Sequence, residues 1–132
     1  MKTHTRARMG MTGLLALALT ALAGFTAAPA SAATCSATAS NPVFVSLSNT
    51  ISWQGSGSCS TGATFIAGAL QRQGTLNYVP IDTSYRYDNG IVSGYGNCNG
   101  TTSTYRTRVY AEDSKNKIGT EKFSTARGIS CR

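Results

Sequence analysis

Thr104-Tyr105-Arg106-Thr107-Arg108-Val109-Tyr110-Ala111 repeats with a period of two. Tyr105, Thr107, Val109 and Ala111 fall on one face of it, and Arg106, Arg108, Tyr110 and the following Glu112 fall on the other. A half-buried antiparallel strand has this pattern, because successive side chains leave opposite faces of a pleated sheet. The first set is expected to pack on a second sheet. The second sets two guanidinium groups and a phenol in a row facing solvent. Asn97, Asn99 and Gly100 before the stretch, and residues 113–119 after it, supply the turns that bound it. The row Arg106, Arg108 and Tyr110 is the most chemically pointed feature of the chain and its expected binding surface.

Working outward, the same alternation recurs. Residues 35–47 read as an edge strand interrupted at Pro42, since proline cannot donate to a ladder. Ile51 and Trp53 oppose Thr50, Ser52 and Gln54, and Trp53, the single tryptophan, is expected at the centre of the core. Gly55-Ser56-Gly57-Ser58 reads as a loop pinned at Cys59. Residues 63–72 read as a strand with Phe65, Ala67 and Ala69 on one face and Ile66, Leu70 and Arg72 on the other. Gly68 there marks a bulge or a point of close packing. A helix competes for this run, but Gly62, Gly68 and Gly74 punctuate it and no caps frame it. Two strands over 76–81 and 84–87, separated by Asp82-Thr83, lead to Asp88-Asn89-Gly90, a type I′ hairpin signal into residues 91–95. A final strand spans 121–131. About seven or eight short strands with turns roughly every 8 to 12 residues predict an all-β fold, a small antiparallel sandwich.

The ends set the context. Lys2, Arg6 and Arg8 precede an apolar run over 14–25 too short to span a bilayer, and Ala30-Ser31-Ala32 supplies the small residues of a signal-peptidase site. Residues 1–32 are thus expected to be a signal peptide and 33–132 a single secreted β domain, with no membrane span in the mature chain. The competing lipoprotein cut before Cys35 meets Thr34, larger than the residues usual there, and no paired arginines suggest twin-arginine export. The Ala-rich leader resembles those of proteins secreted by high-GC Gram-positive bacteria.

About 100 residues remain after the cut, with all four cysteines, Cys35, Cys59, Cys98 and Cys131. In an exported chain of this size they read as two disulfides. Of three pairings, Cys35 with Cys59 and Cys98 with Cys131 is favoured, each closing a loop within neighbouring strands. No Cys-x-x-Cys occurs and the only histidine, His4, lies in the leader, so a zinc site is not expected. Three of the twelve Lys and Arg are in the leader, leaving nine against five Asp and Glu. The mature domain is moderately basic, without the concentrated charge of a specific nucleic-acid binder.

Thr50-Ile51-Ser52-Trp53 resembles the strand that carries the core tryptophan of fibronectin type III and other immunoglobulin-like domains. Tyr105-Arg106-Thr107-Arg108-Val109-Tyr110-Ala111 resembles their Tyr-x-Val-x-Val-x-Ala strand, with Thr107 where valine is usual. The two patches cover about a sixth of the mature chain and stand in the right order. The resemblance implies an immunoglobulin-like sandwich and leaves function open.

No enzyme, and no cofactor, is expected. With no histidine after the cut, the usual general base and commonest metal ligand are missing. The carboxylates are Asp82, Asp88, Glu112, Asp113 and Glu121. The first two read as turn residues, and the adjacent Glu112 and Asp113 point opposite ways, so no pair faces a common substrate. Outward tyrosine and arginine suit recognition of a partner, an extracellular protein or cell-wall component. Tyr85, Arg86 and Tyr87 form a second such group, of which only one face should be outward. Two alternatives remain. One is an inhibitor of an extracellular protease, presenting residues 56–62 or the turn Lys115 to Ile118. The other is a cationic antimicrobial or polyanion-binding protein, whose binding would collapse with salt.

Overall fold

The structure is a computed structural model and describes residues 32–131. The leader expected over 1–32 lies, apart from Ala32, outside the described residues. Among these, nine strands form two antiparallel sheets: β1 Cys35–Ala39, β2 Val43–Val45, β3 Thr50–Cys59, β4 Thr64–Gln73, β5 Tyr78–Arg86, β6 Gly90–Asn97, β7 Thr102–Asp113, β8 Gly119–Phe123 and β9 Arg127–Ser130. One sheet is centred on β3, with β6 on one side and β1 and β2 on the other. The second runs β5-β4-β7, with β8 and β9 both along the far side of β7.

Each sheet therefore has one edge made of two collinear pieces. β1 pairs with residues 55–59 of β3 and β2 with residues 50–52, so they form a single edge strand broken at Asn41-Pro42, as expected from the proline. The final strand, expected to be continuous, is split in the same way. Ser124 fills the break, donating its backbone N–H to the Thr107 carbonyl at 2.9 Å and accepting the Thr107 N–H on its hydroxyl at 2.8 Å. Interrupted edges offer no long template for pairing with another chain.

Between the sheets lie Ile51 and Trp53 from β3, Ile66 and Leu70 from β4, Val92 from β6, Tyr105, Val109 and Ala111 from β7, and Ile129 from β9. Residues 55–58, expected as a loop, belong to β3. Gly55 and Gly57 point inward, and the space their Cβ atoms would take is held by Val109 and by Ala111, whose Cβ would lie 2.8 Å from one on Gly57. The glycines let two sheets approach; they do not turn the chain. Gly68 plays the same part against Trp53, and the bulge sits instead between Leu70 and Gln71, leaving Ile81 of β5 without a register partner.

Two further expectations are corrected. Residues 78–86 are one strand, because Asp82 is no turn residue: its carboxylate accepts the Trp53 indole N–H at 2.6 Å and so belongs inside. Asp88-Asn89-Gly90 makes no type I′ hairpin, since β5 and β6 lie in different sheets and, of the three, only Gly90 has a positive φ. The turn is an arch over the sandwich edge. Its Asn89 side-chain oxygen accepts from the Cys59 N–H at 3.0 Å and from the Thr64 hydroxyl, which ties the arch to the β3–β4 turn.

Both favoured disulfides are present. Cys35 and Cys59 are register partners across β1 and β3, whereas Cys98, after β6, and Cys131, after β9, join one sheet to the other.

Candidate functional site

β7 is flanked by β4 on one side and β8 and β9 on the other, so its outward residues stand in the middle of the outer face of the five-stranded sheet. Tyr105, Thr107, Val109 and Ala111 are fully buried, and the alternation turns Arg106, Arg108 and Tyr110 outward. The expected row is formed, and each member already has a partner. The Arg106 guanidinium lies between the Tyr78 ring, 3.8 Å from its centroid, and the Phe123 ring at 4.2 Å, and its Nε donates to Gln71 Oε1 at 2.9 Å. Arg108 pairs with Glu121. Tyr110 donates its hydroxyl to Glu112 at 2.5 Å. That bond, followed by desolvation and the negative charges of Glu112 and Glu121, raises the Tyr110 pKa above the usual tyrosine range, so the phenol stays protonated at neutral pH.

Register explains the shape of this face. Ala67 lies between Tyr85 of β5 and Tyr110 of β7, and Ala69 lies between Thr83 and Arg108. Two small residues on the central strand, flanked by long ones at the 4.7–4.9 Å strand spacing typical of sheets, leave a groove of about 370 Å3. Tyr78, Gln71, Glu121 and Phe123 were invisible to sequence reasoning as parts of this site, because only cross-strand register brings them to Arg106 and Arg108.

Tyr85, Arg86 and Tyr87 are all exposed, contrary to the expectation that one side must be buried. The pairing of β5 with β4 ends at Arg86, and there the chain leaves the sheet. Tyr87 instead stacks against Phe65, centroids 5.4 Å apart, and Arg86 pairs with Asp88.

The turn between β7 and β8 is organised by Asp113, which is fully buried. Its carboxylate accepts from the Thr61 hydroxyl and, at 2.9 Å each, from the N–H groups of Lys115 and Asn116. The Thr61 bond and then the Asn116 N–H hold the carboxyl at about 2, below the ordinary 3.8, against the opposing effect of burial. Glu112 points the other way, toward Tyr110 and Lys117, as adjacent strand residues must. Of the two loops expected for an inhibitor, the first is taken up largely by β3 and the second is this closed turn. Among the described residues no three of His, Cys, Asp and Glu stand together as metal ligands. No family profile, curated protein or solved structure matches the chain.

Proposed function

We propose that the protein is a secreted binding module that offers the outer face of its five-stranded sheet to an extracellular protein or cell-wall component. One observation carries this reading: the Arg106 guanidinium is held between Tyr78 and Phe123 beside a groove walled by Tyr85, Arg108 and Tyr110. Aromatic and arginine side chains fixed before binding lose little rotamer entropy on contact, which is what makes such residues strong anchors. The arrangement supports an immunoglobulin-like kinship too. With each broken edge taken as one strand, the described residues form seven strands in two sheets, and Trp53 and Tyr105 enter one core from facing sheets.

The test is capture from culture fluid and cell-wall fractions with the oxidised protein, beside a folded Arg106→Ala, Arg108→Ala, Tyr110→Ala triple variant. A component retained by the first and lost by the second is the expected result. Equal capture by both overturns the assignment of the site. The turn over 114–118 is rigid because of Asp113 whatever the protein binds. Resistance to cleavage after Lys115 or Lys117 thus does not mark an inhibitor; loss of trypsin activity on mixing does. A polyanion-binding role would need free cations on this face, and both arginines are already engaged by other side chains.

A further inference from the structure

The other face of the sandwich has a different chemistry. β1, β2, β3 and β6 carry no charged residue, and every charged residue among those described lies in the five-stranded sheet or the turns leaving it. The outer face of the four-stranded sheet is mostly hydroxyl and amide groups, with Val43, Ile91 and Tyr95 exposed among them. At one end the hydroxyls are spent on one another: Ser36 bonds Ser58 at 3.0 Å and Thr38 bonds Ser56 at 2.6 Å. Toward the other end Ser48 bonds Thr50 at 2.6 Å and Ser52 donates to the Val43 carbonyl at 3.3 Å, but the side chains around them are not engaged in this way. The broken edge at Asn41, together with Val43 of β2, and Tyr95 of β6 form the walls of an open groove of about 370 Å3, with Ser52, Gln54 and Ser93 between them. Val43, Ser52 and Tyr95 stand in one cross-strand row.

The side chains of Asn41, Gln54, Ser93 and Tyr95 make no hydrogen bond to any other described residue, and Tyr95 is 68% exposed. We infer that this groove is a second binding site, and that it takes a neutral oligosaccharide. A sugar ring has an apolar C–H face and a rim of hydroxyls that donate and accept. Tyr95 supplies a flat apolar surface with a polar tip. Two amides and a serine supply donors and acceptors free to reorganise around the rim. The absence of charge from the whole sheet leaves nothing to select an ionic ligand and nothing costly to desolvate for a neutral one. The arginine face also offers tyrosines but differs in its charge and in the pairing of Arg106, Arg108 and Tyr110 with neighbouring side chains.

Trp53 backs the groove with its indole turned inward, 3% exposed and bonded to Asp82, so binding is read by isothermal titration calorimetry. The oxidised protein is titrated with cello-, chito- and malto-oligosaccharides, with Tyr95→Ala, Gln54→Ala, Ser58→Ala and Arg108→Ala variants alongside, each shown to melt as the parent does. The expected result is saturable binding of one series. Tyr95→Ala or Gln54→Ala weakens it by about tenfold or more, whereas Ser58→Ala and Arg108→Ala leave it within about twofold. The affinity is unchanged from about 50 mM to about 500 mM salt, as contact with a neutral ligand requires. No saturable binding of any series overturns the inference. So does binding that survives both groove substitutions or disappears with salt. None of these outcomes bears on the arginine face, whose own variants decide it separately.

Discussion

Thr107 sits at the centre of β7 with its side chain fully buried, and among the described residues its hydroxyl has no hydrogen-bond partner. Its backbone is satisfied by Ser124, but the hydroxyl is not, and an unpaired buried hydroxyl costs about 1–3 kcal/mol. Valine has nearly the same shape and nothing to leave unpaired. Thr107→Val is therefore expected to raise stability by about 1 kcal/mol, read as a higher urea midpoint at unchanged slope. A lower midpoint would mean that the hydroxyl is bonded after all. Asp82 shows the opposite case. Here a carboxylate accepts the N–H of the core tryptophan, so an indole that would otherwise carry an unpaired donor into the core is satisfied by a residue whose sequence neighbours suggested a turn.

At the scale of an element, the turn from β7 to β8 depends on one ionised group. The Asp113 carboxyl titrates at about 2 in the folded state and near 3.8 when unfolded, so the folded state binds fewer protons in that interval. Its contribution to stability is complete above the unfolded value and is lost as pH falls through the folded one. The parent protein should lose urea resistance between about pH 4 and pH 2 more steeply than Asp113→Asn, which has no carboxylate to protonate. At neutral pH the variant should be the less stable of the two, because the Thr61 hydroxyl and two backbone N–H groups then face a neutral amide. Parallel pH profiles for the two proteins would show that Asp113 is not the group responsible. The surface pairs Arg108–Glu121 and Arg86–Asp88 are exposed and contribute little by comparison.

Across the whole molecule, the two disulfides have different tasks. Cys35–Cys59 links strands already paired in register, whereas Cys98–Cys131 joins the sheets, closing a separation of 33 residues. On the chain-entropy model a loop of that size is worth about 3 to 4 kcal/mol, comparable to the net stability of a domain this small. A Cys98→Ala, Cys131→Ala variant is expected to lose about that much and to expose β9 amides to hydrogen exchange first. Loss of protection spread evenly over both sheets would contradict this. The alternation of β7, the burial of Trp53, the proline break in the first edge and the presence of two disulfides, their pairing favoured among three, were legible in the sequence, since each depends on residues close in the chain or on a count of few possibilities. The sequence could not say that Gly55 and Gly57 continue a strand, that Asp82 turns inward, or that Asn89 arches between sheets. Those depend on what stands opposite: Val109 and Ala111, Trp53, Cys59 and Thr64. The same holds for both grooves, because a glycine, an alanine or a serine acquires a role only from the longer side chains that register sets beside it.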